Sequence, residues 1–327
     1  SYAYIIVIYY GVAATAFYNL LSCIIRALGD SKTPLIFLVF ASFLNVALDL
    51  LFIITFHMGV GGAAWATVLS QGVSGLLCLG YAWRRFPLLR MEKRHWTFDW
   101  SYAWKHLRLA LPMAMQFVIT GTSVLVNQAV LNLFGSAAVA AFSAASKIHM
   151  LSEQVAVSFG TAMATYAGQN YGAGKAGRVR EGLRKCALAC EAITLGIMVI
   201  MTAFGGVMSS WFIDGYHPEV IQQAHLYLFI SALFYPALTM LFLYRNTLLG
   251  LGNGVTPMLA GVCELLSRMI GAPVLGHFFG FTGLCWINPI AWVTASGLLF
   301  LSYRKTMRNI RPVDPTVDAS DPNKIMN

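Results

Sequence analysis

Nine apolar stretches follow one another along the chain, at roughly 3–29, 33–55, 59–83, 107–133, 137–165, 186–213, 224–250, 256–279 and 281–303. Each is near the ~20 residues that a helix rising 1.5 Å per residue needs to cross ~30 Å of hydrocarbon. The charged content of 11% is far below the ~25% of soluble domains, and 58% of the residues are hydrophobic. The expected fold class is therefore all-α integral membrane, a polytopic helical bundle. The first stretch has no basic leader and is followed by Arg26 and Asp30, so it reads as a span rather than a signal peptide. All six cysteines fall inside apolar stretches, which argues against a secreted disulfide framework.

A net charge of +9 raises the question of nucleic acid, and the placement of the charges answers it. Of 22 Lys and Arg, 20 lie beside alternate span ends or in the tail, Arg245 being counted among them. The opposite connections, 56–59, 134–137, 214–220 and 276–281, contain none. This is the positive-inside pattern. It predicts a multi-pass protein of the cytoplasmic membrane with Ser1 outside, the 84–106 linker and the C-terminus inside, and no nucleic-acid partner.

Three blocks recur in order. GDSKTP at 29–34 returns as GNGVTP at 252–257, GVGGAAW at 59–65 as GFTGLCW at 280–286, and SGLLCLGY at 74–81 as SGLLFLSY at 296–303, at offsets of 223, 221 and 222. The copies lie an even number of spans apart, so they share one orientation and describe two similar bundles related by an axis along the membrane normal. The expected organisation is a partial N-terminal lobe of three helices over 1–83, a basic cytoplasmic linker over 84–106, a six-helix C-terminal lobe over 107–303, and a disordered cytoplasmic tail over 304–327. If the second copy begins near Lys105, its counterpart begins about 120 residues before Ser1. The chain thus reads as an N-terminally truncated fragment.

RALGDSKTP at 26–34, AGQNYGAGKAGRV at 167–179 and LLGLGNGVTPMLAGVCELLSR at 248–268, together with the repeat, resemble the multidrug and toxic-compound extrusion (MATE) transporters over essentially all of 1–311. The resemblance implies twelve helices in two lobes, of which this chain supplies helices four to twelve. It also implies export of amphipathic, often cationic compounds in exchange for protons or sodium, with no cofactor and no enzymatic step. The partners so implied are small-molecule amphipathic substrates and the lipid bilayer, and the working unit a monomer. Two alternatives are a lipid or lipid-linked oligosaccharide flippase of the same superfamily, which needs a strongly cationic cavity, and a non-transporting membrane scaffold.

Asn45 and Asp49 are four residues apart, on one face of the second span. An acid inside hydrocarbon costs ~2.5–3.5 kcal/mol even on the lenient insertion scale, and usually marks an ion or substrate path. The structural alternative is a polar pair bonded to a neighbouring helix. The resemblance implies that N-x-x-x-D is a cation site, completed by Thr67 and Tyr4 and by an aspartate on a helix outside this chain. Desolvation disfavours the charged form of a carboxylate, so such an acid can trade its charge for a proton or for sodium held with Asn45.

The C-terminal lobe has no Asp or Glu over 106–133 or 224–251. Its neutral polar residues Gln116, Thr120, Asn127, Gln128 and Asn132, with Met113 and Met115, suit either a permissive substrate cavity or helix–helix hydrogen bonds. Glu264 and Arg268, spaced i, i+4, read as a structural ion pair. Glu153 is a candidate second buried acid, Lys147 reaches a partner or snorkels, and Glu191 is balanced by Arg184 or Lys185. The histidines show no metal spacing, so no metal site is expected.

Overall fold

The structure, a computed structural model, describes residues 2–90, 97–213, 215 and 217–310, and every regular element among them is helical. The chain divides into two compact units, Ser1–Asp99 and Trp100–Asn327.

In the first unit α1 (Tyr2–Ala27), α2 (Lys32–Leu50) and α3 (Gly59–Arg85) pack side by side, α1 against α3 most extensively. Small residues allow that approach. A Cβ on Gly75 would sit 2.7 Å from Phe17 Cδ1, and one on Gly11 would collide with Val68. Beyond Asp49, α2 widens into a π-helical turn, Leu51–Thr55, in which the Phe56 amide donates to the Leu51 carbonyl at 3.1 Å. Such turns are rare and cluster at functional sites.

The second unit holds α4 (Trp100–Leu131), a 3₁₀ turn (Asn132–Phe134), α5 (Gly135–Gly172), α6 (Ala176–Ser210), α7 (Pro218–Leu233), α8 (Tyr235–Gly250) and α9 (Val255–Asn309). The apolar run expected as one span at 224–250 is instead broken, with α7 and α8 bent by 53° around Phe234. Pro236 supplies the reason: it has no N–H to donate, and its ring excludes the carbonyl four residues back. α9 is interrupted at Gly280 (φ 58°, ψ −142°), which separates 255–279 from 281–309. Residues 304–309 of the expected tail are helical, and 311–327 lie outside the described residues.

Among the described residues six helical stretches are long and apolar enough to cross a bilayer, or seven with bent α7–α8 taken as one. The expected nine are not counted out this way, because Trp100–Gly172 and Val255–Asn309 each count as one stretch, of 73 and 55 residues, although each turns once on the way. At 1.5 Å per residue each exceeds the hydrocarbon thickness more than twofold. Each carries one positive-φ glycine, Gly135 at 86° and Gly280 at 58°.

The internal repeat reappears as local geometry. Gly29 and Gly252 have φ of 97° and 81°, and Gly59 and Gly280 share φ 58°. This left-handed region favours glycine, which accounts for the matched residues. Just after Gly29, Asp30 Oδ1 accepts the amides of Lys32 and Thr33 at 3.1 Å each, and Oδ2 accepts the hydroxyls of Thr33 and Tyr81 at 2.7 Å each. One carboxylate thereby caps α2 and ties it to the end of α3. Its repeat counterpart Asn253 accepts the Thr256 amide at 3.1 Å, and Ser302 donates to Thr256 Oγ1 at 3.0 Å. The clamp recurs with its charge removed.

The Tyr81 hydroxyl first, then the Thr33 hydroxyl and amide, hold the Asp30 carboxyl down at about 2, against an ordinary 3.8. A depressed folded value means that the stabilisation is present above the ordinary value and is lost as pH falls through the folded one. Thermal unfolding in detergent is expected to show a steeper loss from about pH 5 to about pH 2 for the native chain than for Asp30→Asn. Asp30→Ala is expected to cost about 0.5–2 kcal/mol at neutral pH, the usual range for a lost cap.

Candidate functional site: polar groups buried in each unit

In the first unit, helical spacing puts Asn45 and Asp49 on one face of α2, and Thr67 and Gln71 on one face of α3. Asn45 Nδ2 donates to Thr67 Oγ1 at 3.4 Å, while the Thr67 hydroxyl donates to the Ala63 carbonyl at 3.0 Å. Asp49 is partly buried, and its Oδ1 is shielded from solvent with no hydrogen-bond partner among the described residues. Gln71 Oε1 is in the same condition, one turn from Thr67; that i, i+4 spacing was the available signal for it. Tyr4 is 37% exposed, and no hydrogen bond joins it to Asn45, Asp49 or Thr67 among the described residues. Asn45, Asp49 and Thr67 are thus brought onto facing helices, and Tyr4 is not bonded to them. A buried acceptor without a donor is costly, and a proton or small cation relieves that cost.

The second unit is organised around Glu264, 6% exposed on α9. Its Oε1 meets Arg245 of α8, and its Oε2 lies 3.4 Å from Arg268 Nη1. The i, i+4 pair read from the sequence is present, and a third charge joins it. Arg245, expected at a span end, is only 7% exposed inside α8, and its Nε has no acceptor among the described residues. The apolar run continues on both sides of it, so its position in the sequence resembles a boundary while packing makes it interior.

Arg268 also donates to Ser123 Oγ on α4 at 2.9 Å and to Asn288 Oδ1 on the second half of α9 at 3.1 Å. Asn288 Nδ2 in turn donates to the Tyr227 hydroxyl on α7 at 3.0 Å. On α5, His149 Nδ1 lies 2.7 Å from the Tyr235 hydroxyl, its ring stacks on Trp292 at 5.4 Å, and Nε2 is 3.9 Å from Glu153. Ser123, Tyr227, His149, Tyr235 and Asn288 escape sequence reasoning because their partners are far away along the chain.

Gln116, Thr120, Ser123 and Asn127 form one polar stripe on α4. Gln116 is 7% exposed and packs against Gly261 of α9, so it faces a neighbouring helix rather than an open chamber. Met113, Thr120 and Asn127 are half-buried, and Gln128 donates to Asn132 Oδ1 in the 3₁₀ turn that follows α4, at 3.1 Å. Lys147 lies over the Phe212 ring at 5.1 Å. Glu191 is not balanced as expected: Lys185 pairs with Glu181 at 2.7 Å, and Glu191 Oε1 is buried without a partner among the described residues.

The family described as MatE matches residues 112–274. The chain is similar to the "Probable multidrug resistance protein YpnP" of Bacillus subtilis, 33% identical over 289 residues, which cover 87% of this chain and 61% of that protein. It is also similar to a protein of Shewanella oneidensis described as "FAD transporter", 23% identical over 81% of this chain and 60% of that one. The crystal structure of the Vibrio cholerae MATE transporter VcmN in the bent form superposes with a TM-score of 0.81 at 22% identity, covering 92% of this chain and 68% of that one. The chain spans about three fifths of the length of the curated relatives it matches.

Removing the Glu264 charge leaves two arginines facing each other in an apolar interior. Glu264→Gln is expected to destabilise the protein by about 3–5 kcal/mol, the range for breaking a buried pair by removing one partner. Thermal unfolding or recovery of monodisperse protein after solubilisation reads this out, with Asp49→Asn, which strands no opposite charge, as the benign comparison.

Proposed function

We propose that the chain, a member of the MatE family of multidrug and toxic-compound extrusion transporters, serves cation-coupled export of amphipathic, often cationic, small molecules. It is a transport protein and not an enzyme. One observation carries the coupling part of the reading: Asp49 keeps a buried oxygen without a donor, one turn along α2 from an Asn45 that reaches Thr67. A proton or a sodium ion at that oxygen cancels the charge, with the Asn45 and Thr67 oxygens as further ligands. Such binding drives transport only if the alternate states of the transporter hold the cation unequally. The placement of Lys and Arg supports a cytoplasmic 84–106 segment and C-terminus, in a chain that crosses the cytoplasmic membrane nine times with both long helical stretches passing twice.

A second reading, export of an anionic compound, has an observation of its own. Arg245 and Arg268 oppose the single carboxylate Glu264, and a relative is described as an FAD transporter. The neutral stripe on α4 and the satisfied state of Glu264 favour the first reading.

Proteoliposomes with an imposed proton or sodium gradient separate the possibilities. Under the proposed function a lipophilic cationic dye is exported in response to one of the gradients, and Asp49→Asn lowers that rate at least about tenfold, equivalent to ~1.4 kcal/mol of coupling. Asn45→Ala and Thr67→Ala are expected to lower it less. Undiminished gradient-driven export by Asp49→Asn removes Asp49 from the mechanism. Export of FAD but not of the dye selects the anionic reading, and no export at all leaves the scaffold.

A further inference from the structure

Where α5 turns into α6, the surface opens into a cleft of about 450 Å³ lined by Tyr166, Asn170, Lys175, Arg178, Glu181 and Lys185. Glu181 pairs with Lys185 at 2.7 Å and feels the Arg178 charge from farther off, and neither Lys175 nor Arg178 forms a close ion pair among the described residues. Five cations and one carboxylate fall between 175 and 185, so the mouth of the cleft attracts anions.

The wall of the cleft continues into an apolar track. Arg178, Glu181, Lys185, Leu188, Ala192, Leu195 and Val199 follow the 3.6-residue period along one face of α6. All seven are exposed, Leu188 at 64% and Val199 at 60%. The face is charged over its first two turns and purely apolar for the next four. Opposite the charged part, the Tyr166 ring rests on Gly182, where a Cβ would collide with it, so an aromatic edge floors the cleft.

A soluble anion needs only the charged mouth; a ligand matching the whole face carries a negative head and a long hydrocarbon tail. We propose that this face of α5–α6 is a binding site for an anionic phospholipid, the phosphate held by Lys175 and Arg178 and an acyl chain laid along Leu188, Leu195 and Val199. Basic residues at the end of a membrane helix and amphipathic side chains at the interface are the chemistry that recognises such headgroups. The inference rests on the membrane setting and not on the transport reaction, so it stands or falls separately from the role of Asp49.

The solubilised chain is titrated with phosphatidylglycerol or with phosphatidylcholine of the same acyl composition, and bound lipid is counted by native mass spectrometry. Phosphatidylglycerol is expected to be retained over phosphatidylcholine by at least about fivefold, the effect of about one surface cation. Lys175→Ala with Arg178→Ala is expected to abolish that preference, whereas Lys305→Ala with Arg308→Ala, which removes the same charge from the exposed end of α9, changes it less than about twofold. If the first pair does not give folded protein, Arg178→Gln alone carries the test, with a loss of about fivefold expected. Equal retention of the two lipids, equal loss in both charge pairs, or displacement of phosphatidylglycerol by millimolar inorganic phosphate overturns the assignment.

Discussion

An ion buried among hydrocarbon side chains costs several kcal/mol unless opposite charge and hydrogen bonds meet it. In residues 100–310 one carboxylate, Glu264, does this for two arginines at once. One oxygen meets Arg245 on α8 and the other Arg268 one turn along its own helix, so α8 and the first half of α9 are fixed in rotation about their axes as well as in distance. Arg268 passes the constraint on, to α4 through Ser123 and to the second half of α9 through Asn288, and Asn288 passes it to α7 through Tyr227. Dispersion alone holds helices together in an apolar solvent without choosing among nearby packings. The chain of polar contacts makes that choice here.

Residues 1–99 hold together differently. Close approach at Gly11 and Gly75 joins α1 to α3, and the ends of α2 and α3 are pinned at the water-facing side by Asp30 and Tyr81. The polar groups farther inside are neutral except for Asp49, and the acid contributes no interhelical bond through Oδ1. A group that holds nothing together is free to change its protonation or its ion without loosening the bundle. Glu264 has the opposite character, since altering its charge disturbs four other helical segments.

Legibility in the sequence followed the range of each interaction. The membrane class came from runs of about 20 residues, and the Glu264–Arg268 contact from a spacing of four. The repeat glycines were visible as residues, and their positive φ supplies the cause. The bend between α7 and α8 had a signal in Pro236 that averaging over an apolar window conceals. Arg245 was misplaced because an arginine near a glycine-rich turn looks like a span end, while its partner is 19 residues away. Ser123 and Arg268 are separated by 145 residues, and nothing local in either segment records their contact. Tyr4 illustrates the reverse limit: a role carried over from a resemblance meets no hydrogen bond to Asn45, Asp49 or Thr67 among the described residues.

The two copies of the repeat kept their turns and exchanged their interiors. At the offset of 223 set by the turn that opens α2 and α9, Asn45 and Asp49 correspond to Arg268 and Ala272, while Arg245 and Glu264 correspond to Ser22 and Ala41. Neither set of charges has a charged counterpart in the other copy, although the capping Asp30 and Asn253, and the glycines beside them, correspond. Backbone geometry at a helix turn tolerates few residues, so duplication preserves it. A buried charge must be solved as a set, and a set can be gained or lost in one copy without touching the turns. Under the proposed function this divides the labour: the carboxylate with an unmet oxygen exchanges cations, and the carboxylate locked between two arginines keeps its own unit rigid while that exchange occurs.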